Sequence, residues 1–303
     1  MDNSDKNAVP NATDTKPRKK RSQAAEVWRR FRRNKTAMIG LVIMIMLFML
    51  AIFADVLAPG DELNPGYDIQ DLTRRQLYPS SEHIMGTDQL GRDVFSRIAH
   101  GSRISLQVGF VVVSISMLAG VTIGSISGFY NKADNILMRM VDIILAVPDV
   151  LLAIAIAAAL GPGLMSVMIA VGVGAIPGYA RISRASVLSV REQEFIEAAR
   201  SVGASDFRII RKHILPNCMA PIVVQATMGM AGAIAAAAAL SFLGLGIQLP
   251  RPEWGAMLAD GRRFIMHFWP TVVFPGAMIA LIIFALNMMG DGLRDAFDPR
   301  LKK

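Results

Sequence analysis

The chain has a single cysteine, Cys218, which excludes an intrachain disulfide and a zinc site built from several cysteines. It also lacks the phosphate loop of nucleotide-hydrolysing proteins, the nucleophile motif of serine hydrolases and the kinase signature. Its histidines show no ligand spacing, and they lie at positions 83, 100, 213 and 267. We therefore predict that the chain has no catalytic residue, no metal site and no cofactor of its own.

Charged residues are scarce as well, at 18% of the 303 residues, whereas hydrophobic residues make up 53%. The hydrophobic residues gather into runs of about 20, the length that crosses a ~30 Å hydrocarbon core as a helix. The runs are continuous rather than alternating, so they do not fit the strands of a membrane barrel. The sequence therefore predicts an all-α integral membrane protein that crosses the lipid bilayer as a helical bundle.

Six membrane-spanning helices are predicted from these runs. They cover about residues 36–57, 104–126, 137–160, 164–179, 216–245 and 269–289. Pro148 interrupts the third run, and a Gly-Pro-Gly turn at 161–163 precedes the fourth. The predicted segments are a basic N-terminal tail (1–35), the first span (36–57), a polar loop (58–103), a five-helix core (104–290) and a C-terminal tail (291–303).

The net charge of +8 is concentrated beside the apolar runs. Basic residues cluster in the N-terminal tail and in segment 181–213, whereas the 58–103 loop is acidic. Because cytoplasmic loops are rich in Lys and Arg, both termini are predicted to be cytoplasmic and the 58–103 loop extracytoplasmic. We predict no nucleic-acid partner. The rival interpretation, a membrane-anchored protein whose tail binds nucleic acid or anionic lipid, requires residues 1–24 for activity.

Segment 191–217 is predicted to form two short helices that project from the membrane. Residues 194–202 combine helix formers with spaced apolar side chains, and Gly203 follows where a left-handed C-terminal cap is needed. Ser205 is placed to cap a second helix over 206–215, which gives way to the fifth span at a proline. Such a paired-helix element suits docking into a groove on a soluble partner.

The order of residues in this segment is distinctive. It runs through Glu197, Ala198, Ala199, Gly203, Ser205, Leu215 and Pro216. The pattern resembles the EAA loop of ABC importer permeases, although His213 stands where that family has an isoleucine. The resemblance implies that these residues form the coupling helices, which seat in a cleft of a cytoplasmic ATPase.

Further motifs narrow the resemblance. They are GTD at 86–88, GRDV at 91–94, GSRISL at 101–106, SFLGLG at 241–246, PEWG at 252–255 and GDGLRDAFDP at 290–299. Together they resemble the C-type permease subunit of the dipeptide, oligopeptide and nickel importers, and the likeness covers about residue 27 to the end.

This resemblance implies a six-helix type I ABC importer transmembrane domain in the bacterial inner membrane. The implied partners are a second homologous permease, two cytoplasmic ATPases that bind ATP and Mg, and an extracytoplasmic substrate-binding protein. The chain would then be a transport subunit and not an enzyme. The implied substrate is a di- or oligopeptide, with nickel, glutathione and opines as open alternatives.

Polar residues inside the predicted spans are candidates for the translocation pathway. Asp149 falls near mid-bilayer, where a carboxylate is costly and usually faces a cavity or a partner. It either lines a hydrated pathway or the permease interface, or it is a protonated, packed side chain. Gln225 and Asn287 are weaker candidates of the same kind. A transporter driven by an ion gradient would need paired intramembrane charges and repeat symmetry, neither of which is clear here.

Gly120, Gly124 and Gly128 form one small-residue face on the second predicted span. Residues this small let two helices approach closely in lipid. The partner helix belongs either to this chain or to a second subunit, and the sequence leaves both interpretations open.

Overall fold

The computed structural model describes residues 23–59, 66–248 and 250–298, so residues 1–22 of the predicted tail and residues 299–303 lie outside the described residues. Within these ranges the regular structure is helical, apart from one isolated bridge between Thr87 and Asp93. The helices are α1 (Gln23–Arg33), α2 (Lys35–Ile52), α3 (Ala54–Leu57), α4 (Val94–Phe129), α5 (Asn131–Leu145), α6 (Asp149–Leu160), α7 (Leu164–Arg191), α8 (Glu194–Ser201), α9 (Asp206–Ile209), α10 (Leu215–Phe242), α11 (Trp254–Gly261) and α12 (Pro270–Phe297).

The two ends of the bundle differ, and we name them by what they carry. The arm end carries the arm, by which we mean residues 194–214 with α8 and α9. It also carries α1 and the last turns of α12, where Arg30 Nη1 donates to the Asp298 carbonyl oxygen at 3.2 Å. The loop end carries residues 66–93 and the segment around α11, where Tyr78 Oη donates to the His267 carbonyl oxygen at 2.8 Å. Long helices α2, α4, α7, α10 and α12 run between the two ends.

The predicted N-terminal tail is partly helical. Residues Gln23–Arg33 form α1, which packs Phe31 and Val27 against the bundle and leaves Trp28 largely exposed. Asn34 then caps α2, because its Oδ1 accepts the backbone N–H groups of Thr36 and Ala37 at 3.1 and 3.2 Å. The predicted boundary at residue 35 therefore marks the junction between two helices rather than the end of an irregular tail.

The third predicted span, 137–160, is two helices and not one. α5 and α6 meet at an angle of 86°, because Pro148 cannot continue the helix and becomes the first non-helical residue before α6. α5 starts at the arm end, where Arg191 Nη1 donates to Asn131 Oδ1 at 2.8 Å. The turn after α6 lies at the loop end, where Gly163 N donates to the Leu245 carbonyl oxygen at 3.4 Å. The pair therefore connects the arm end to the loop end, with a sharp bend between its two helices.

Three helices are longer than the apolar runs that predicted them. α4 begins at Val94 and not near residue 104, so the loop predicted over 58–103 ends about ten residues early. α7 continues to Arg191 and α12 to Phe297, into segments predicted as a loop and a tail. Hydropathy marks where lipid contact ends, whereas a helix ends where its backbone hydrogen bonds end. The first residue of α4 is set by the N-cap Asp93, whose Oδ2 accepts a hydrogen bond from Ser96 N at 2.7 Å.

The second arm helix does not end at Pro216 as predicted. A π-helical turn over Ile210–Ile214 joins α9 to α10, and Pro216 lies in the first turn of α10. Because proline has no backbone N–H, the chain stays helical through Pro216 without a backbone hydrogen bond from this residue to the preceding π turn. Residues Asp206–Phe242 thus form one continuous rod from the arm into the membrane.

The small-residue face of α4 packs against α7 of the same chain. A Cβ on Gly120 would lie 2.5 Å from Tyr179 Cβ, and one on Gly128 would lie 2.8 Å from Val187 Cβ. A Cβ on Gly124 would overlap the Ala180 carbonyl oxygen. The structure thus gives these glycines a packing partner within the chain.

Candidate coupling arm and translocation cavity

The turn between α8 and α9 has a defined geometry. Gly203 has φ +82°, and its N–H donates to the Arg200 carbonyl oxygen at 2.9 Å. Ala204 N donates to the Ala199 carbonyl oxygen at 3.1 Å, which completes a Schellman cap on α8. A residue with a Cβ is strained at this φ, so glycine is required for the arm to reverse direction here.

Buried isoleucines fasten the arm to the bundle. Ile196 on α8, Ile209 on α9 and Ile214 in the π turn are all fully buried against Phe129 and Val187. The Arg200 guanidinium also lies 5.4 Å from the centre of the Phe129 ring. The arm is therefore tied to the end of α4 and of α7, so a force on the arm acts on both helices.

The opposite side of the arm is exposed and partly apolar. Val202 is 88% exposed, Phe207 is 71% exposed and Ala198 is exposed as well, whereas Glu197 is exposed in a cleft that it lines with Arg191 and Arg200. Ala199 is partly buried against the bundle. Large exposed apolar side chains grouped with polar ones are typical of a protein interaction site.

Three of the predicted coupling residues have roles in the arm's backbone. Ser205 occupies the N-cap position of α9 with extended φ and ψ, but its side chain makes no cap hydrogen bond, contrary to the predicted cap. Leu215 and Pro216 form the first turn of α10 beyond the π turn. They connect the arm to the membrane helix rather than lie on its exposed side.

Three arginines on α7 hold α5 in place, and we call them the arginine clasp: Arg181, Arg184 and Arg191. Arg184 makes a bidentate pair with Asp134, with both N···O distances 2.6 Å. Arg181 Nη2 lies 2.7 Å from Asp142 Oδ1. Arg191 Nη1 donates to the Gly128 carbonyl oxygen at 3.1 Å and thereby reaches the end of α4.

A cavity of about 370 Å³ lies between α4, α6, α7 and α10. Asp149 is exposed at its edge, and Tyr179, Gln225 and Ser116 add polar groups to a mainly apolar wall. Tyr179 is twelve residues from the end of α7, about 18 Å along the helix axis, so the cavity lies inside the bundle. Asp149 and Gln225 are thus brought together at one cavity.

Asn287 does not join them. It is exposed on α12 and is not among the residues that line this cavity. α12 packs mainly against α2 and α10. Of the three predicted pathway residues, the structure therefore groups two.

The motif at 86–97 builds a buried ion-pair network at the loop end that sequence reasoning did not anticipate. Arg92 is 1% exposed, and its Nε lies 2.7 Å from Asp88 Oδ2. Asp88 Oδ1 also accepts the backbone N–H of Arg92 at 3.0 Å. Arg97, 2% exposed, lies 3.7 Å from Asp88 and donates to the carbonyl oxygens of Tyr67 and Pro250 at 3.4 Å. The network joins both loop-end segments to α4.

The PEWG motif completes the loop end. The buried Glu253 carboxylate caps α11 by accepting Gly255 N and Ala256 N, both at 2.8 Å, and burial raises its pKa. The fully buried Trp254 donates from Nε1 to the Ile98 carbonyl oxygen at 3.2 Å. Burial also raises the pKa of Asp260 at the end of α11, although Arg97 and Arg92 oppose that shift.

Two family models match the chain. One, described as the binding-protein-dependent transport system inner membrane component, matches residues 120–303. The chain belongs to this family. The other, described as the N-terminal transmembrane domain of oligopeptide transport permease C, matches residues 22–78 and so covers α1 and α2 of the permease.

Named relatives of this permease match over nearly its whole length. A dipeptide transport system permease protein of Alkalihalophilus pseudofirmus is 48% identical over 280 residues, 91% of this chain and 90% of that protein. A di/tripeptide transport system permease protein of Pseudomonas aeruginosa is 45% identical over 93% of both chains. A glutathione transport system permease protein of Shigella boydii is 45% identical over 97% of both.

Among solved structures, an inward-facing form of the MetNI methionine ABC transporter contains a similar chain. The TM-score is 0.56 at 19% identity, covering 67% of this permease and 97% of that chain, a likeness that concerns the fold alone. Family and fold together confirm the predicted all-helical ABC importer transmembrane domain and the resemblance to C-type permeases. The chain is a transport subunit and not an enzyme.

Proposed function

We propose that this permease forms half of a translocation pathway for di- or oligopeptides and couples it to a cytoplasmic ATPase. The observation that carries the proposal is the arm, which is fastened to the bundle by buried isoleucines and exposes Val202 and Phe207 on its free side. Two ATPase subunits bind ATP and Mg, and each permease arm seats in a cleft of one of them. Glu197 and Ala198 lie at that contact.

The arm sends motion to the cavity through the arginine clasp and the bend between α5 and α6 at Pro148. Closure of the ATPases displaces α8, which is packed against Phe129 at the end of α4. The end of α7, which carries Arg184 and Arg191 and directly precedes α8, moves with it. Because Arg184 holds Asp134, α5 follows α7, and the bend at Pro148 transfers the movement to α6. Asp149 is the first residue of α6, so the movement changes the cavity directly.

The cavity forms one wall of the peptide pathway, and a second homologous permease supplies the other. Asp149 offers a carboxylate to the ammonium group of a peptide, and Gln225 offers an amide that pairs with peptide groups. The apolar wall tolerates varied side chains because nonpolar contact is not directional. Glutathione is itself a tripeptide with these groups, so it is a second candidate substrate, supported by the 45% identical glutathione permease of Shigella boydii.

The arm end faces the cytoplasm and the loop end faces the extracytoplasmic side. The arm end has the exposed basic groups that the positive-inside rule associates with the cytoplasmic side, including Arg29, Arg32 and Lys35 on or beside α1. An extracytoplasmic binding protein docks on the loop end and releases substrate into the cavity. Nickel and opines remain substrates that the same architecture is able to serve.

Cross-linking from the arm tests the coupling proposal. Val202→Cys and Phe207→Cys place reactive thiols on the exposed side, and the native Cys218 is buried and gives a silent background. In intact cells both variants are expected to capture the ATPase. Ile84→Cys at the loop end is the matched exposed control and should not. Capture from the loop end, or none from the arm, contradicts the proposal.

Uptake by the reconstituted importer tests the substrate and the energy source. In proteoliposomes with the ATPases and binding protein, dipeptide uptake is expected to require ATP and to fall about tenfold or more in Asp149→Leu. Asn287→Ala, outside the cavity, is the control that should retain uptake. Uptake sustained by an ion gradient alone would replace this proposal with a secondary transporter, and glutathione uptake in place of dipeptide uptake would select the second substrate.

A further inference from the structure

A second large groove lies at the arm end, away from the cavity and next to the first turn of α10, where the arm joins the membrane helix. Its volume is about 750 Å³, within the range of about 300–1,000 Å³ typical of ligand sites. Four helices form it: α1, the first turns of α2 and α10, and the last turns of α12. The proposed transport mechanism makes no use of this groove.

The walls of the groove are apolar, and its edge is polar. Phe31, Leu41, Met219 and Leu293 contribute carbon surface from each of the four helices. Such a surface is costly to leave against water, at about 25 cal/mol per Å². At the edge, the Arg30 guanidinium neutralises Glu26 at 2.6 Å and donates to the Asp298 carbonyl oxygen, which leaves further N–H donors free for a ligand.

The groove lies at the boundary between membrane and water. Leu41 is six residues, about 9 Å, inside the membrane helix α2 from its start at Lys35. α1 precedes this helix and carries a 54% exposed Trp28, a residue type enriched at that boundary. The groove therefore extends from headgroup depth into the hydrocarbon region, and its occupant must have both a polar and an apolar part.

Unpaired positive charge surrounds the groove. Arg29, Arg32, Arg33 and Lys35 are exposed, and none has an ion-pair partner among the described residues. Arg32 lies one turn from Trp28, which lines the groove, and Arg33 lies beside the start of α2. Among the described residues, Glu26 is the acidic side chain that lines the groove, and Arg30 already pairs with it. Asp295, on the last turn of α12, accepts a hydrogen bond from Asn34 Nδ2 at 3.2 Å, so one carboxylate stands near the four basic groups. The remaining charge favours an anion.

We propose that this groove binds a phospholipid with an anionic headgroup from the surrounding bilayer. One acyl chain lies between α1 and the α10–α12 surface, and the phosphate contacts Arg30 and the basic groups of α1. Arginine suits this contact because its planar fork donates two hydrogen bonds to one phosphate. The lipid thereby fixes α1 against α12 and supports the arm end from outside the cavity.

Photo-cross-linking to the intact purified importer tests the site. The complex is placed in vesicles of phosphatidylcholine with a trace of photoactivatable phosphatidylglycerol, and adducts are located by mass spectrometry. We expect adducts on α1 and on residues 216–220. Ala220→Phe, which fills the groove, should abolish them, whereas Leu118→Phe on an exposed site of α4 should not.

Removing positive charge beside the groove is an independent test of the same proposal. Each arginine beside an anionic headgroup strengthens binding about fivefold at low salt, so Arg32→Gln with Arg33→Gln is expected to weaken labelling roughly 25-fold. Arg262→Gln with Arg263→Gln, an exposed pair at the loop end, is the matched control and should change nothing. Equal labelling by photoactivatable phosphatidylcholine, or adducts confined to other surfaces, would overturn the proposal. The amount of lipid adduct is measured without transport, so a failure of this proposal can be told apart from a failure of the proposed peptide uptake.

Discussion

At several positions of this permease one close contact decides which amino acid is tolerated, and Gly124 is the clearest case. Alanine favours a helix by about 0.5–1 kcal/mol over glycine, so Gly124→Ala would stabilise an isolated helix. In the bundle the new Cβ would overlap the Ala180 carbonyl oxygen and lie 2.7 Å from Ser183 Cβ. A backbone atom cannot move aside as a flexible side chain can, so the contact decides the sign.

Gly124→Ala is therefore expected to destabilise the purified complex by about 1–3 kcal/mol, the usual cost of overpacking. Thermal unfolding followed in detergent would measure it. Gly276→Ala on α12 is the matched control, because its new Cβ meets only Leu258 Cδ2 at an ordinary 3.7 Å. Equal midpoints for the two variants would show that α4 and α7 are not in close contact.

The N-cap residues Asp93 and Ser205 are expected to contribute very different amounts to stability. Asp93 caps α4 with a 2.7 Å hydrogen bond, whereas Ser205 makes no side-chain cap bond to α9. Asp93→Ala should thus lower the free energy of unfolding by about 0.5–2 kcal/mol, and Ser205→Ala by much less. Denaturation of both variants side by side would decide this, and a larger loss for Ser205→Ala would contradict the structure.

At the scale of elements, α5 is held to α7 by pairs of unequal burial. The side chains of Arg184 and Asp134 are 35% and 21% exposed, whereas those of Arg181 and Asp142 are 57% and 59% exposed. Exposed ion pairs contribute about 0–1 kcal/mol and are weakened by salt. We therefore expect the more buried, bidentate pair of Arg184 and Asp134 to be the one that transmits movement from α7 to α5.

Arg184→Ala is expected to uncouple the importer: ATP hydrolysis continues while uptake per ATP falls severalfold. Arg181→Ala, which breaks the exposed pair on the same helix, should retain most uptake. The exchange variant Arg184→Asp with Asp134→Arg should restore part of the uptake, because it restores the attraction. The ratio of uptake to hydrolysis in proteoliposomes gives the answer, and equal losses in both alanine variants would argue against the clasp.

The loop-end network predicts a pH dependence. Burial raises the pKa of Asp260, so the folded state holds its proton more tightly than the unfolded state does. The contribution of Asp260 to stability is then fully present below its unfolded pKa and is lost as pH rises through the folded pKa. Asp260→Asn should raise the unfolding midpoint at neutral pH, with no gain near pH 4. Asp291→Asn, exposed on α12, should show neither effect.

At the scale of the whole molecule, the broken α5–α6 span determines the number of crossings. If the pair were a re-entrant loop, residues 132 and 162 would lie on the same side of the membrane. Because α5 is tied to the arm end and Gly163 to the loop end, the structure places them at opposite ends of the bundle, and we expect them on opposite sides of the membrane. The six-crossing topology depends on this pair.

Lys132→Cys is thus expected to react only with a reagent that reaches the cytoplasmic side, and Pro162→Cys only with an impermeant reagent added outside. Both side chains are exposed, and the wild-type chain with its buried Cys218 is the unlabelled control. Labelling of both positions from the same side would show that the span turns back.

Sequence alone determined the membrane class, the family, and the approximate positions of the long apolar helices and of the paired-helix arm. Each of these depends on local properties: continuous apolar length, charge beside it, and short motifs such as the one around Gly203. Even the interruption at Pro148 followed from chemistry that one residue carries.

Only the tertiary structure decided what depends on contacts between distant segments. It gave the 86° bend of the third span, the helical extensions beyond the lipid, the arginine clasp and the burial of Arg92 and Arg97. It also grouped Asp149 with Gln225 and left Asn287 aside. Hydropathy measures each segment against lipid, whereas these features arise from segments meeting one another, which no local pattern records.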